Sequence, residues 1–395
     1  MDRIVVTGMG IISAIGNSVA ENLSSLQQGK CGIGPLEMFQ STFSGKLPVG
    51  EIKISNEALK QQLDADEQGI IRGSLLALHA VEEAIASSGL TAEQLSSFDT
   101  ALIGANTVGG MCQTDEMYHD SKVGLQGSEF ISSYDHSVTN MYLQKRFAIN
   151  GPIDTINTAC SSSANAIMYG ARLIKSGRAK RAIVGGVDSL AKFTINGFNA
   201  LHILSPDICT PFDEARKGLN LGEGAAFLVL EREQDAAGKK IYAYLSGYAN
   251  STDAFHSSSL SDDGIGPYKA MSDALVAAKL QPSQIDFINA HGTGTENNDR
   301  TESIAMLRLF GTVPPFASTK GNTGHTLGAA AAIESIYAIL NLTGQELFQG
   351  LHFKTPIDGA GLKPVQSYQQ MPLTHVMSNS FGFGGNCSSL IFSKA

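Results

Sequence analysis

Residues 151–164 read GPIDTINTACSSSA, and this stretch changes its local pattern midway. Residues 151–156 are rich in β-branched side chains and begin at glycine, which predicts a strand. Residues 164–173 follow a helical pattern. Cys160 therefore lies at the turn into a helix N-terminus, where unpaired N–H groups and the helix dipole favour a thiolate, the nucleophilic form of cysteine.

Strand and helix patterns alternate outward from this turn. Two alanine-rich segments, residues 74–86 and 329–340, predict helices packed from several sides in the middle of the protein. Alternation predicts the α/β class. A weak internal echo and a charged stretch at residues 231–240 predict two similar halves, residues 1–235 and 236–395. Short apolar runs that predict buried strands occur at residues 4–8, 101–104, 182–186, 227–230, 287–290 and 389–392.

Composition excludes several classes of protein. The 395 residues carry a net charge of −9, which disfavours a broad nucleic-acid footprint. Five cysteines without CxxC spacing disfavour both a disulfide framework and a structural zinc site, and they fit a reducing cytoplasm. There is no run of about 18 consecutive apolar residues, so we expect no membrane span. The N-terminus reads as a first strand and not as a signal peptide.

Two further motifs give Cys160 a chemical context. Residues 289–295 read NAHGTGT, and residues 318–325 read STKGNTGH. Glycines around His291 place it at the exit of a strand, while Lys320 and His325 precede a long helix. Acyl transfer to a thiol needs a nucleophile, a stabilised oxyanion and a second nucleophile, which these residues can provide together. The pattern is typical of a cysteine acyltransferase.

Simpler interpretations apply to other residues. A lone cysteine is most often an inert buried thiol, which is how we interpret the other four. Two histidines in glycine-rich loops can bind a metal, but no third ligand has suitable spacing and a nearby lysine repels cations, so no metal is predicted. Residues 381–386, FGFGGN, form either a mobile loop with an aromatic gate or a turn with two core phenylalanines.

Over nearly its whole length the chain resembles the β-ketoacyl-acyl-carrier-protein synthases, condensing enzymes of the thiolase superfamily. The resemblance implies a thiolase-like fold, with two similar mixed-sheet halves in a layered α-β-α-β-α arrangement. Besides the motifs with Cys160, His291 and His325, it is carried by VVTGMG at residues 5–10, PFD at 211–213, GEGA at 222–225 and NSFGFGG at 379–385.

The same resemblance implies a mechanism and its residues. Cys160 would accept an acyl chain from the phosphopantetheine arm of an acyl carrier protein, with no other cofactor. Malonyl carrier protein would then lose CO₂, and the carbanion would attack the acyl group. By this resemblance the N–H groups of Cys160 and Phe383 form an oxyanion hole, and His291 and His325 stabilise the enolate. Lys320 orients His325, and Glu334 braces the Lys320 loop. Thr293 and Thr295 bind pantetheine, Phe383 is a gate, and Val108 and Phe198 line the acyl pocket.

The chain departs from the fatty-acid enzymes at three places. Residues 63–68, LDADEQ, are acidic where relatives usually carry a basic cluster for the carrier protein, and His202 replaces an arginine. The basic residues between 172 and 181 offer another docking group, or merely complement a helix dipole. Residues 295–300, TENNDR, lack a proline and resemble type II polyketide ketosynthase subunits. This favours specialised polyketide or polyene-type biosynthesis, and a homodimer or a heterodimer with a chain-length partner.

Two alternative functions stay open. A thiolase or cysteine hydrolase would use the same nucleophile, but a thiolase carries a second catalytic cysteine, and Cys387 lies outside the CxG pattern of that family. A non-catalytic chain-length partner would not need Cys160, His291, Lys320 and His325, all of which are present.

Overall fold

The computed structural model describes residues 3–123 and 127–395. In this part of the chain the strands are β1 (Ile4–Ser13), β2 (Ile33–Gly34), β3 (Val49–Gly50), β4 (Thr100–Ala105), β5 (Ile153–Ile156), β6 (Arg181–Asp188), β7 (Gly224–Arg232), β8 (Ala243–Thr252), β9 (Phe287–Asn289), β10 (Phe316–Ala317), β11 (Glu346–Leu347), β12 (Gln369–Gln370), β13 (His375–Phe381) and β14 (Asn386–Ser393).

The α-helices of the same residues are α1 (Val19–Gln27), α2 (Asn56–Leu63), α3 (Arg72–Ser88), α4 (Ala92–Leu95), α5 (Thr114–Val123), α6 (Val138–Arg146), α7 (Ser162–Lys175), α8 (Lys192–Ala200), α9 (Ile265–Ala278), α10 (Glu296–Phe310), α11 (Lys320–Thr323) and α12 (Ala330–Gly344). Each apolar run that predicts a strand lies on a strand, and both alanine-rich segments lie on helices.

Ten strands form one mixed sheet in the order β10-β9-β13-β14-β8-β1-β7-β6-β4-β5. Outward from the centre, β1-β7-β6-β4-β5 and β8-β14-β13-β9-β10 repeat the same order, with antiparallel inner pairs and parallel outer pairs. The two sets meet where Val5 and Val6 pair with Tyr244 and Ala243. This repeat supports the division into residues 1–235 and 236–395, which stays a prediction.

Helices cover the sheet in layers, which confirms the predicted α/β class. Helix α3 packs on β1, β7 and β6, and α9 packs on β8 and β14, with α10 beside it. Helices α7 and α12 pack against each other, and α12 contacts strands of both halves. Both helices predicted to be central are packed from several sides: α12 contacts strands of both halves, and α3 contacts β1, β7 and β6 as well as α2 and α6.

Small residues allow the close packing of these layers. A Cβ atom built at Gly10 of β1 would lie 2.0 Å from the Ala80 carbonyl oxygen, and one at Gly8 would lie 2.3 Å from that of Ala84. Strand β1 therefore rests on the backbone of α3 at positions that only glycine can occupy without displacement.

One stretch of the described residues, Leu327–Gly344, is long and apolar enough to cross a membrane by length and composition. Within the protein 89% of it is buried, as expected for a core helix. Helix α12 packs against α7, and its side chains, Ile336 and Tyr337 among them, belong to the main hydrophobic core.

Candidate active site

Cys160 lies on a strained turn between β5 and α7. Ala159 adopts a φ of 53°, a left-handed conformation that costs a side-chain-bearing residue about 1–3 kcal/mol. Thr158 and Cys160 form an isolated bridge across it. Helix α7 begins at Ser162, with Ser161 at its N-cap position. The predicted strand, turn and helix are therefore all present.

The predicted thiolate is wrong for the resting site. Cys160 precedes the first helical turn and is only 6% exposed. Burial raises the pKa of its thiol to about 11, although the charge of Lys320 and the backbone N–H groups of Phe383 and Cys160 act to lower it. Desolvation outweighs these favourable interactions, so the resting sulfur is a thiol.

His325 lies beside this sulfur. Its Nε2 is 3.1 Å from Sγ of Cys160, and its Nδ1 accepts the backbone N–H of Leu327 at 3.2 Å. A neutral imidazole that accepts at Nδ1 carries its proton on Nε2. His325 therefore presents an N–H donor to the sulfur and to any group bound there.

His291 presents the same kind of donor. Its Nδ1 is 3.3 Å from Nζ of Lys320, and an ammonium can only donate, so the ring proton again belongs on Nε2. The two imidazole rings meet edge to face with centroids 5.4 Å apart. Burial and then the charge of Lys320 hold the pKa of each histidine well below its usual value, so both are neutral at pH 7.

Lys320 is buried and pairs with a buried carboxylate. Its Nζ donates to Oε1 of Glu334 and to the backbone oxygen of His291, each at 2.5 Å. The pairing with Glu334 agrees with the predicted bracing. However, the hydrogen bonds of Lys320 reach His291 and not His325, so the predicted orientation of His325 by Lys320 is corrected: Leu327 holds that ring instead.

Two buried acids on α10 hold the loop that carries His291, and the sequence analysis missed both. Glu302 accepts the backbone N–H groups of His291 and Gly292, both at 2.9 Å. Asp299 accepts those of Thr293 and Gly294. Their sequence spacing could have predicted this role. The two acids lie three residues apart, directly after the loop that carries His291, and this spacing places both carboxylates on one face of the helix.

Cys160, His291 and His325 line a cavity of about 550 Å³, whose wall also includes the exposed residues His202, Lys217 and Glu296. The phenylalanine rings of Phe383 and Phe198 stack with centroids 6.0 Å apart. Val108 does not line the cavity and belongs to an apolar cluster against which Phe198 packs. The predicted site residues that line the cavity are Cys160, Phe198, His291, Thr293, Thr295, His325 and Phe383.

A network of amide side chains connects the turn at Cys160 to the glycine-rich loop at residues 381–385. Oδ1 of Asn386, directly after this loop, accepts from Ser161 at 2.6 Å, from Asn250 at 2.8 Å and from Asn165 at 2.9 Å. Because Asn250 belongs to β8 and Asn165 to α7, the network fixes both halves of the chain around the nucleophile.

The site is poorly suited to a metal ion. In the part of the chain that the structure describes, the potential ligand atoms of Cys160, His291 and His325 lie within 4.8 Å of one another. A protonated thiol is not a ligand, and the Lys320 ammonium beside His291 repels a cation. The absence of a metal stays a prediction.

The basic residues near the end of α7 fit a role in complementing the helix dipole better than a role in docking the carrier protein. Arg172 and Lys175 lie in the last turn of α7 and face the ring of Tyr248. Arg181 is buried beside Glu231. These residues are at the opposite end of α7 from Cys160, a helix of about 20 Å, and do not line the mouth of the cavity.

The comparison with known families decides the identity of this site. The sequence model of the Beta-ketoacyl synthase N-terminal domain matches residues 1–236, and that of the C-terminal domain matches residues 242–354. The chain belongs to the β-ketoacyl synthase family. It is a condensing enzyme of the acyltransferase class, as predicted, which acts in fatty-acid or polyketide synthesis.

Full-length relatives agree with this assignment. The 3-oxoacyl-[acyl-carrier-protein] synthase 2 of Staphylococcus aureus (strain COL) is 30% identical and covers 99% of this chain and 98% of its own. The ishigamide ketosynthase/chain length factor is 28% identical with a TM-score of 0.93, covering 100% and 99%. The ketosynthase ApeO, in complex with its chain length factor ApeC, from Xenorhabdus doucetiae is 32% identical with a TM-score of 0.88, covering 100% and 98%. The predicted thiolase-like fold is confirmed for this β-ketoacyl synthase.

Proposed function

We propose that this β-ketoacyl synthase catalyses a decarboxylative Claisen condensation between a Cys160-bound acyl group and malonyl carrier protein. One observation carries the proposal: the Cys160 sulfur and two neutral imidazole donors meet in a buried cavity with an open mouth. A thiol accepts the acyl chain, and donors without charge stabilise an enolate without protonating it.

The first step transfers the acyl group from carrier to enzyme. Sγ of Cys160 attacks the thioester carbonyl while the backbone N–H groups of Cys160 and Phe383 stabilise the oxyanion. The pantetheine sulfur leaves and takes up the proton that the Cys160 thiol loses, so a free carrier thiol and an acyl-cysteine result. The raised pKa of Cys160 makes this proton transfer part of the step.

The second step forms the new carbon–carbon bond. Malonyl carrier protein loses CO₂, and its thioester oxygen, now an enolate, accepts Nε2–H from His291 and His325. The enolate carbon attacks the acyl carbon, and the cysteine sulfur leaves as a thiolate, which takes up a proton from solvent to restore the resting thiol. Lys320, paired with Glu334, supplies the positive field behind His291. The product is a β-ketoacyl carrier protein longer by two carbons.

The remaining residues bind the substrate. Thr293 and Thr295, whose hydroxyls are 2.8 Å apart in the cavity, bind the amides of the pantetheine arm. Phe198, with Val108 behind it, lines the acyl pocket, and Phe383 stacks on Phe198 as its gate. No further cofactor is required, because the carrier supplies the phosphopantetheine.

We further propose that the enzyme works in the cytoplasm, with an acyl carrier protein and a ketosynthase-like partner chain, in specialised polyketide or polyene-type biosynthesis. The solved relatives bound to a chain length factor support the pairing. So does the free edge of the sheet: among the described residues β5 pairs with β4 alone, and the exposed side chain of Met141 lies beside β5.

The deciding experiment combines the chain with its partner, an acyl carrier protein and malonyl carrier protein, and follows all species by intact mass spectrometry. We expect an acyl adduct on Cys160 and a β-ketoacyl product. Cys160→Ala should lose the adduct. His291→Ala or His325→Ala should retain it but slow malonyl decarboxylation by about 10²–10³, the typical effect of one oxyanion donor.

Other results would lead elsewhere. An unmodified Cys160 in the complete mixture favours a non-catalytic partner subunit. Adduct hydrolysis without carbon–carbon bond formation favours a cysteine hydrolase. Undiminished decarboxylation in both histidine variants contradicts the enolate role.

A further inference from the structure

Asp188, the last residue of β6, is a buried carboxylate without a role in the steps above. It is 2% exposed and accepts from two separate segments. Its Oδ1 accepts the backbone N–H groups of Thr107 at 3.0 Å and Val108 at 3.1 Å. Its Oδ2 accepts the Thr107 hydroxyl and the Gly328 N–H, both at 2.7 Å, and shares the Thr107 N–H with Oδ1, at 3.0 Å. No cation pairs with it in the described residues.

The first segment, Thr107 and Val108, belongs to the surroundings of the cavity wall. Val108 belongs to the apolar cluster that includes Phe198, a residue of the cavity wall. The Thr107 backbone oxygen lies 3.4 Å from Nδ2 of Asn157, in the stretch before Cys160. The carboxylate therefore fixes the segment that supports the pocket wall.

The second segment sets the orientation of His325. Gly328 directly follows Leu327, whose N–H donates to Nδ1 of His325. Leu327 has a φ of 51°, an unfavourable left-handed conformation that needs support from its surroundings. A Cβ atom at Gly328 would lie 2.8 Å from Oδ2 of Asp188, so the carboxylate and this turn are in direct contact.

We infer that Asp188 is a positioning residue that fixes both the tautomer of His325 and the wall of the acyl pocket. The inference rests on the proposed function. If the carboxylate no longer holds Gly328, Leu327 can relax and its N–H can leave Nδ1. The His325 proton is then free to move from Nε2 to Nδ1, and the donor facing the sulfur is lost. Release of Thr107 and Val108 would alter the acyl lengths that the pocket accepts.

Asp188→Asn separates this role from simple packing. The amide has the same size but one acceptor oxygen, so its NH₂ group must face either the Gly328 N–H or the N–H groups of Thr107 and Val108. In the first case the Gly328 N–H loses its acceptor. In the second case the Val108 N–H loses its acceptor, while Thr107 keeps its bonds to the remaining oxygen. We expect malonyl decarboxylation to fall about 10- to 100-fold, the usual range for residues that orient a functional histidine, or the preference among acyl carriers to change at least fivefold.

Glu83→Gln provides the matched control. Glu83 also accepts two backbone N–H groups, those of Ile11 and Val19, but it lies on α3 away from the cavity. We expect it to lower the melting temperature without changing either catalytic readout beyond twofold. Asp188→Asn that matches this control in decarboxylation and in acyl preference would overturn the inference.

Two milder variants remain available should Asp188→Asn fold poorly. One is aimed at the pocket wall and the other at the orientation of His325. Thr107→Val removes one hydroxyl contact to Oδ2 and should change acyl preference while decarboxylation stays within twofold. Gly328→Ala displaces the carboxylate and should slow decarboxylation. Unaltered acyl preference in Thr107→Val would contradict the role of Asp188 at the pocket wall. Normal decarboxylation in Gly328→Ala would contradict its role in orienting His325. An inactive wild-type chain would instead count against the proposed function itself.

Discussion

At the scale of single residues, the groups that meet at the reacting sulfur are neutral. The Cys160 thiol and both imidazoles are uncharged at rest, and the one cation beside them, Lys320, is paired with Glu334. Burial disfavours charge on each group, which suits an enzyme whose intermediate is an enolate. The negative charge that develops during the reaction is then met by fixed N–H donors.

The pKa of Cys160 leads to a prediction for its reactivity. Because burial raises this pKa to about 11, the thiolate fraction and the rate of labelling by iodoacetamide should rise about tenfold per pH unit between about pH 7 and pH 10. Peptide mapping separates Cys160 from the other cysteines, and Cys160→Ala gives the background. Labelling that is already constant by about pH 8 would mean that the thiol is far more acidic.

The buried pair of Lys320 and Glu334 leads to a second prediction. Burial already raises the pKa of Glu334 to about 7 beside Lys320, so Lys320→Met leaves a protonated, unpaired carboxyl in the core and should lower the free energy of unfolding by about 1–3 kcal/mol. The double variant with Glu334→Gln should regain most of that stability, yet decarboxylate slowly because His291 loses the donor to its Nδ1. Urea unfolding and decarboxylation rates test these two effects. A double variant as unstable as Lys320→Met contradicts the pairing argument.

At the scale of elements, the contact between β1 and α3 depends on glycine. A Cβ atom at Gly10 would overlap the backbone of α3, so Gly10→Ala should lower the free energy of unfolding by about 1–3 kcal/mol. Gly73→Ala is the control, because Gly73 lies on α3 and a Cβ atom added there would meet no atom within 4 Å. This substitution should stabilise α3 by up to about 1 kcal/mol. Equal effects of the two substitutions would contradict a close contact specific to Gly10.

Elements were more predictable than the contacts between them. The strand before Cys160 and both alanine-rich helices follow from periodicity, since a buried segment shows its period locally. By contrast, the thiolate expectation failed because exposure of Cys160 depends on distant residues. The partner of Lys320 was also misassigned: sequence spacing puts it near His325, whereas the fold brings Nζ to His291. Asp188 looks like an ordinary acid until its backbone partners are known.

At the scale of the whole molecule, the free edge beside β5 predicts how the chain assembles. Met141 is 54% exposed on α6 and lies beside β5, so Met141→Glu should weaken binding of the partner chain at least tenfold. Val276→Glu is the control, because Val276 is 73% exposed on α9, in the other half of the chain. Light scattering and titration of the two chains would measure this difference, and equal binding by both variants would exclude the edge as the interface.

The central position of α12 has a consequence for how the polypeptide is made. Helix α12 covers part of β7 and β6 in the first half of the sheet, although it begins about a hundred residues after that half ends. During translation, β7 and β6 therefore leave the ribosome well before their cover is synthesised. A truncated product ending near residue 236 would expose that apolar surface and aggregate, and the nascent chain is a natural client for chaperones until α12 emerges.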